Sequence, residues 1–158
     1  MIKQFILNLM LTFVWVAITG NLSFINFIFG YGLGFGVLWL IEKGKSDRKY
    51  FNRVPKIIGF FFYFLYDMLK ANFKIAYDVL TPKYFMKPGI VAFPLAAKSP
   101  FEITMLSNII SLTPGTLILD VSEDQTILYI HVMYLKDPKE FIQNMHNGVE
   151  KRLLEILR

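Results

Sequence analysis

The sequence predicts a membrane α-helical hairpin of two spans, a third helix that is amphipathic or spanning, and a small α+β domain. Three observations lead to this fold class. A run of 37 residues, 5–41, contains no charged side chain. Six basic residues follow within the segment 42–56. From residue 84 onwards, turn signals separate short β-rich and helical segments, which is typical of a small water-soluble domain.

The uncharged run is too long for one membrane span. At about 1.5 Å per residue it would measure roughly 55 Å as a helix, nearly twice the ~30 Å hydrocarbon core of a bilayer. The turn residues Gly20-Asn21-Leu22-Ser23 divide it into helices over about 2–19 and 24–41. We therefore predict a transmembrane hairpin over 1–41, in contact with the lipid bilayer. A cleaved signal peptide is the alternative for the first twenty residues, and the poor cleavage pattern near Ala17 argues against it.

Composition and charge narrow the class of protein. The chain has 158 residues, 54% of them apolar, which is too apolar for an ordinary soluble domain and too short for a large transporter. Residues 1–83 carry a net charge of +6 and residues 84–158 a net charge of −1. The basic excess thus belongs to the membrane half, so it indicates topology and gives no support for a nucleic-acid partner. The absence of cysteine excludes disulfides and thiolate metal sites.

Four glycines at alternate positions mark the second predicted span. Gly30/Gly34 and Gly32/Gly36 form two overlapping small-xxx-small pairs, which allow close helix approach in a membrane. Packing against the chain's own first helix and packing against another subunit both remain open. In the first span, Asn8 and Thr12 share one face, where they are placed to hydrogen-bond a neighbouring helix.

The basic segment 42–56 sets the predicted orientation. Lys and Arg concentrate in cytoplasmic loops next to spans, so this segment is expected in the cytoplasm. With two spans, the amino terminus and everything after the hairpin then lie on the cytoplasmic side of the cell membrane.

Segment 57–83 allows two interpretations. Asp67, Lys70, Lys74 and Asp78, which we call the charged stripe, recur every three or four residues and so lie on one face of a helix. One interpretation is an amphipathic helix on the cytoplasmic membrane surface. The other is a third span, whose charges would pack against partner subunits and line part of an ion path. Charge placement favours the surface helix, and hydropathy favours three spans.

Residues 84–158 are predicted as one α+β domain of β-α-β-β-α order. The expected elements are a strand at 90–95, a helix at 100–112 opened by a capping box, a hairpin of strands at 116–121 and 126–132, and a final helix after Asp137. Both helices can cover one face of a three-stranded sheet, which resembles a ferredoxin-like fold without its last strand. The final helix is expected to place its apolar residues on one face and its charges on the other.

Catalytic and cofactor sites find no support in the sequence. His131 and His146 have no carboxylate or histidine at metal-ligand spacing. Asp120, Glu123 and Asp124 fit an ordinary polar turn between strands. We predict no catalytic residue, no cofactor and no metal, and therefore not an enzyme.

Three segments of the predicted domain stand out as motifs: Pro88-Gly89-Ile90-Val91-Ala92-Phe93, Ser111-Leu112-Thr113-Pro114-Gly115-Thr116-Leu117 and Asp120-Val121-Ser122. They resemble the signature of the MrpE/MnhE family, the E subunit of multisubunit Mrp-type Na+/H+ antiporters. The resemblance covers nearly the whole chain. It implies an accessory subunit of a hetero-oligomeric complex that exports Na+ in exchange for H+, with the other Mrp subunits as partners. Thr113, Pro114 and Gly115, the turn motif, are the positions expected either to dock a neighbour or simply to end a helix.

The sequence leaves three functions open. The leading one is an assembly and stabilising subunit of an Mrp-type antiporter. The second is a direct contribution to the ion path through the charged stripe. The third is a stand-alone membrane-tethered binding domain, which the paired glycines and the large apolar surface disfavour.

Overall fold

The computed structural model describes residues 2–42, 49–82 and 86–158, which form two compact units, 1–55 and 56–158. Residues 43–48 of the predicted basic segment 42–56, and the predicted start of the α+β domain at residue 84, lie outside the described residues. The helices are α1 (Ile2–Thr19), α2 (Phe24–Ile41), α3 (Lys49–Leu80), α4 (Pro100–Leu112), α5 (Pro138–Met145) and α6 (Lys151–Leu157). The strands are β1 (Gly89–Pro94), β2 (Thr116–Val121) and β3 (Ile127–Val132).

Helices α1 and α2 form the predicted hairpin with the predicted boundaries. Gly20 adopts a φ of +61°, which a glycine tolerates without strain, and Ser23 caps α2 by accepting a hydrogen bond from the backbone N–H of Asn26. Within the described ranges, these two helices are the ones long and apolar enough to cross a membrane. Most of their large side chains face outward, as expected for helices in lipid.

Helix α3 begins at Lys49, eight residues before the start at residue 57 that the sequence predicted. Tyr50 and Phe51, at 3% and 4% exposure, pack with Leu38 in one apolar cluster. Burial of these rings stabilises the first turns of α3, although the segment is rich in basic residues. The last part of the predicted loop 42–56 is therefore helical.

The α+β unit has a three-stranded antiparallel sheet in the order β1-β3-β2. Every second residue of β1 and β3 faces the core, and the helices pack on that face. The core residues from the strands are Val91, Phe93, Leu128, Ile130 and Val132, and those from the helical segments are Leu106, Ile110, Val149 and Leu153. The predicted element order β-α-β-β-α and the covering of one sheet face by both helical segments are present in the structure.

The final helix is interrupted, which the sequence did not predict. A π-helical turn, His146–Glu150, separates α5 from α6. Glu150, the last residue of this turn, is buried at 1% exposure instead of lying on a charged outer face. The expectation that all charges of this helix face outward is therefore wrong for Glu150.

Candidate docking site on the third helix

One face of α3 contacts the α+β domain of the same unit, and that face includes the charged stripe. At its start, Nζ of Lys56 lies 4.0 Å from Oε2 of Glu155. Two turns later, the Arg152 guanidinium lies 4.4 Å from the ring centroid of Tyr63. The contacting positions recur at helical spacing, so they lie along one helix face. The charged stripe continues this face towards the end of α3.

Lys74, Tyr134 and Asp78 form the last contact. Nζ of Lys74 lies 3.7 Å from the centroid of the Tyr134 ring, a cation–π distance. Asp78 is 4% exposed, and its Oδ2 atom and the Tyr134 hydroxyl are buried without an ordinary hydrogen bond to any described residue. Burial, and next the neighbouring Asp78 carboxylate, raise the pKa of Tyr134 to about 12. Burial, followed by the positive charge of Lys136, lowers the pKa of Lys74.

A cavity of about 360 Å³ joins two sets of residues that the sequence singled out separately. Asp67, Lys70 and Lys74 line one side, and the turn motif lines the other. Tyr134 and Asn144 complete the polar part of the wall. Asp78 lies beside Tyr134 and is not part of the lining. The arrangement combines two ammonium groups with one carboxylate next to a rigid backbone turn.

The turn motif is rigid for local reasons. Gly115 has a φ of +91°, a conformation that side chains disfavour. The Thr116 hydroxyl donates to the carbonyl oxygens of Ile110 (2.7 Å) and Thr113 (2.9 Å), which closes the end of α4. The motif thus ends a helix, as one interpretation expected, and it also presents a fixed surface to the cavity.

The glycines of α2 divide into two sets. A Cβ atom added at Gly30 would lie 2.7 Å from Cδ1 of Trp15, and one added at Gly34 would meet the Asn8 side chain and lie 3.3 Å from Cβ of Leu11. These two glycines therefore pack against the chain's own first helix. Gly32 and Gly36 have no heavy atom of the described residues within 4 Å of such a Cβ.

Two polar side chains inside the hairpin, Asn8 and Thr12, donate hydrogen bonds within the first unit, while the Oδ1 atom of Asn8 is buried without a described hydrogen-bond partner. Asn8 and Thr12 are fully buried. The Asn8 side-chain amide donates to the Tyr50 hydroxyl (3.0 Å), which lies 2.7 Å from the Tyr31 hydroxyl, and the Thr12 hydroxyl donates to the Asn8 carbonyl. The sequence predicted a hydrogen-bonding partner for Asn8, but Tyr50 lies 42 positions away and carries no local signal.

A second cavity, of about 470 Å³, is lined by charged side chains whose hydrogen bonds stabilise the α+β domain. Oε1 of Glu150 accepts hydrogen bonds from the backbone N–H groups of Ala96 (2.8 Å) and Ala97 (3.1 Å), and its Oε2 lies 2.5 Å from Nδ1 of His146. Nearby, hydrogen bonds from Arg158 and then from the Lys98 backbone hold the pKa of Glu102 at about 2. Sequence analysis found Glu102 through its capping box and missed Glu150 and Arg158.

In the part of the chain that the structure describes, no group of three His, Cys, Asp or Glu residues is placed to hold a metal ion. His131 lies on β3, and His146 starts the π-helical turn beside Phe93.

Comparison with known proteins decides the family. A family model described as Na+/H+ ion antiporter subunit (MnhE) matches residues 8–156. The chain belongs to this antiporter subunit family. It is 38% identical to the Na+/H+ antiporter E subunit of Bacillus subtilis, over 98% of each chain, and 32% identical to the E subunit of Alkalihalophilus pseudofirmus, again over 98% of each. The E1 subunit of Staphylococcus haemolyticus is 33% identical over 97% of this chain and 96% of the relative.

Two solved structures contain chains that are similar to this MnhE-family protein. A chain of the Mrp complex from Dietzia sp. DQ12-45-1b matches with a TM-score of 0.51 and 32% identity, covering 65% of this chain and 96% of that one. A chain of the membrane-bound sulfane sulfur reductase, an archaeal respiratory membrane complex, matches with a TM-score of 0.53 and 28% identity over 96% of each.

Membership of the MnhE family confirms the resemblance drawn from the turn motif and its neighbouring segments. The protein is a membrane-located subunit of a multisubunit Na+/H+ antiporter. The family is one of transporters, and a stand-alone binding domain loses its support.

Proposed function

We propose that this chain is an accessory subunit that assembles and stabilises an Mrp-type antiporter exporting Na+ in exchange for H+, while other subunits carry the ions. The observation that carries the proposal is the uncharged hairpin: residues 5–41 offer no ionisable Asp, Glu, Lys, Arg or His side chain at membrane depth. Ion and proton paths through a bilayer use such groups. The buried polar groups Asn8 and Thr12 of the hairpin already donate hydrogen bonds within the unit.

The open glycine face of α2 supports an assembly role. Gly30 and Gly34 pack against the chain's own first helix, whereas a Cβ atom added at Gly32 or Gly36 would meet no atom of a neighbouring helix in the described chain. A second face of small residues lets the backbone of another helix approach closely, so that dispersion contacts hold the two helices together. The proposed occupant is a membrane helix of another antiporter subunit.

The test uses bulky substitutions on this face. In the proposed arrangement, Gly32→Leu and Gly36→Leu keep the hairpin folded and reduce recovery of the other subunits with a tagged copy several-fold. Ala17→Leu, which adds similar bulk at an exposed position of α1, is the matched control and should leave recovery unchanged. Full recovery of the complex with both glycine variants would contradict the assembly role of this face.

A second candidate function is a direct contribution to the ion path. It is favoured by the cavity that Asp67, Lys70 and Lys74 line, and by the buried carboxylate of Asp78. Asp67→Asn combined with Lys70→Gln separates the two functions. The accessory role predicts an intact complex with normal Na+-dependent H+ exchange in everted vesicles. An intact complex without exchange would instead support the ion path.

We also propose the fine topology of the protein: two spans in the plasma membrane, with a cytoplasmic domain that is a ferredoxin-like fold without its fourth strand. The basic residues after α2 support the cytoplasmic side, and the sheet order β1-β3-β2 is compatible with that fold.

Glu123→Cys, in the exposed β2–β3 turn of a chain without native cysteine, tests on which side of the membrane the domain lies. A membrane-impermeant maleimide should label it in everted vesicles and leave it unlabelled in intact cells.

A further inference from the structure

We propose that α3 lies in the plane of the membrane surface, with its apolar face in the lipid and its charged stripe bound by the chain's own α+β domain. The depth and direction of α3 do not depend on the proposed function. Only the side of the membrane on which the helix lies rests on it.

The outward side of α3 is apolar along its length. Between residues 57 and 80, all four charged side chains belong to the stripe, which occupies an arc of roughly 80° at 100° per residue, so the remaining roughly 280° of the circumference is uncharged. Large apolar side chains along this arc are highly exposed, among them Ile58 (52%), Phe62 (62%), Phe73 (75%) and Leu80 (83%). So large an exposed apolar surface requires a partner.

The width and position of this face indicate lipid as the partner. A single docked helix covers a narrower stripe, whereas a membrane surface covers a broad arc over the whole ~36 Å from residue 57 to residue 80. Only seven residues connect α2 to α3, which is a reach of about 25 Å, so α3 starts near the end of a membrane span. Basic residues in the connection and in the first turns of α3 complement anionic headgroups: Lys43, Lys45, Arg48 and Arg53.

A transmembrane direction is incompatible with the packing of the inner face. The contacts with the α+β domain extend from Lys56 to Asp78, which is about 33 Å of helix and as long as the hydrocarbon core is thick. If α3 crossed the bilayer, this charged domain would have to enter the hydrocarbon. An in-plane helix suits both faces. Lys74 and Asp78 contact Tyr134, and Asp67 and Lys70 line the cavity beside the domain, while the apolar side chains contact lipid.

The test measures membrane depth in the assembled antiporter complex reconstituted in lipid nanodiscs. Because the chain has no native cysteine, Ile58→Cys, Phe62→Cys, Leu69→Cys and Phe73→Cys each place one nitroxide label on the outward face. Lys139→Cys, exposed on α5, is the control in water. Relaxation by oxygen and by a water-soluble nickel complex reports the depth of each label.

The expected result is several-fold greater accessibility to oxygen than to nickel at all four sites, at one shared depth of about 5–10 Å, with the opposite preference at the control. A depth that increases towards the bilayer centre and decreases again along the helix would identify a third span and overturn the proposal. Exclusion of both reagents would indicate coverage by another protein chain, and preference for nickel would indicate exposure to water. Either result would also overturn it. The proposed function fails on other results, namely full recovery of the complex with both glycine variants, or an intact complex without exchange in the stripe variant. Neither of these results would change the measured depths, so the two proposals fail separately.

Discussion

The ammonium group of Lys74 lies over the ring of Tyr134, 3.7 Å from its centroid, and this contact fastens the carboxyl-terminal half of α3 to the end of the sheet. The pair links the charged stripe to the cavity beside the turn motif. Substitution of Tyr134 therefore tests this contact.

Removing the Tyr134 ring should loosen the second half of α3. Tyr134→Leu abolishes the cation–π contact, which for an exposed cation contributes about 0.5–1 kcal/mol. Hydrogen exchange of the α3 amides from residue 70 to residue 80 should accelerate accordingly in the purified chain. Tyr134→Phe keeps the ring and is the control. Equal exchange in both variants would show that the ring contributes nothing to the attachment.

Glu150→Ala should be among the most destabilising single changes in the α+β domain. It leaves the backbone N–H groups of Ala96 and Ala97, the second of which is buried, without an acceptor, and it removes the buried partner of His146. The expected loss is about 2–4 kcal/mol in the free energy of unfolding, measured by chemical denaturation in detergent. Glu155→Ala removes a partly exposed carboxylate and should cost less than about 0.5 kcal/mol. Similar losses for both would contradict the buried role of Glu150.

Acid should destabilise the domain through Glu102. The pKa of this carboxyl is about 2 in the folded chain against an ordinary value of 4.5, so the folded state favours the charged form. Its stabilising contribution is complete above pH 4.5 and is lost as the pH falls from 4.5 towards 2. Unfolding of the wild-type chain and of Glu102→Gln should therefore converge near pH 2. A constant difference between them across this range would be inconsistent with the assignment.

The two sets of glycines in α2 should respond oppositely to the same small substitution. Gly34→Ala forces the Asn8 side chain and Leu11 away and should lower hairpin stability by about 1–3 kcal/mol. Gly32→Ala meets no atom of the described chain and improves helix propensity, so stability should stay the same or rise. Thermal unfolding in detergent, followed by the combined fluorescence of Trp15 and Trp39, measures both variants. A loss of stability with Gly32→Ala would show that this face is already packed.

Local signals made most of the fold predictable. Gly20 and Ser23 marked the hairpin turn, Ser99 and Glu102 marked the start of α4, and alternating apolar residues marked the strands. The boundaries of α1, α2, α4 and β2 agree with the prediction. The start of α3 was predicted too late, because Tyr50 and Phe51 are stabilised by packing on Leu38, a tertiary effect that propensity does not contain.

The candidate site was only half predictable. Spacing alone placed the charged stripe on one helix face, and motif resemblance singled out the turn. That both line one cavity follows from packing between segments about 40 residues apart in the chain, which no local pattern encodes. For the same reason, the sequence did not predict the roles of Tyr134, at an isolated bridge after β3, or of Glu150, in a π-helical turn.

The π-helical turn changes the direction in which the side chains of the chain's last helical segment point. It acts as a one-residue insertion, which turns everything after it by roughly 100° relative to an uninterrupted α-helix. That offset directs Glu150 to the backbone of Ala96 and sets the rotation from which Arg158 reaches Glu102, with Nε 3.0 Å from Oε1. Deleting one residue between His146 and Glu150 would cancel the offset and misalign both acid clusters together, which no single side-chain substitution achieves.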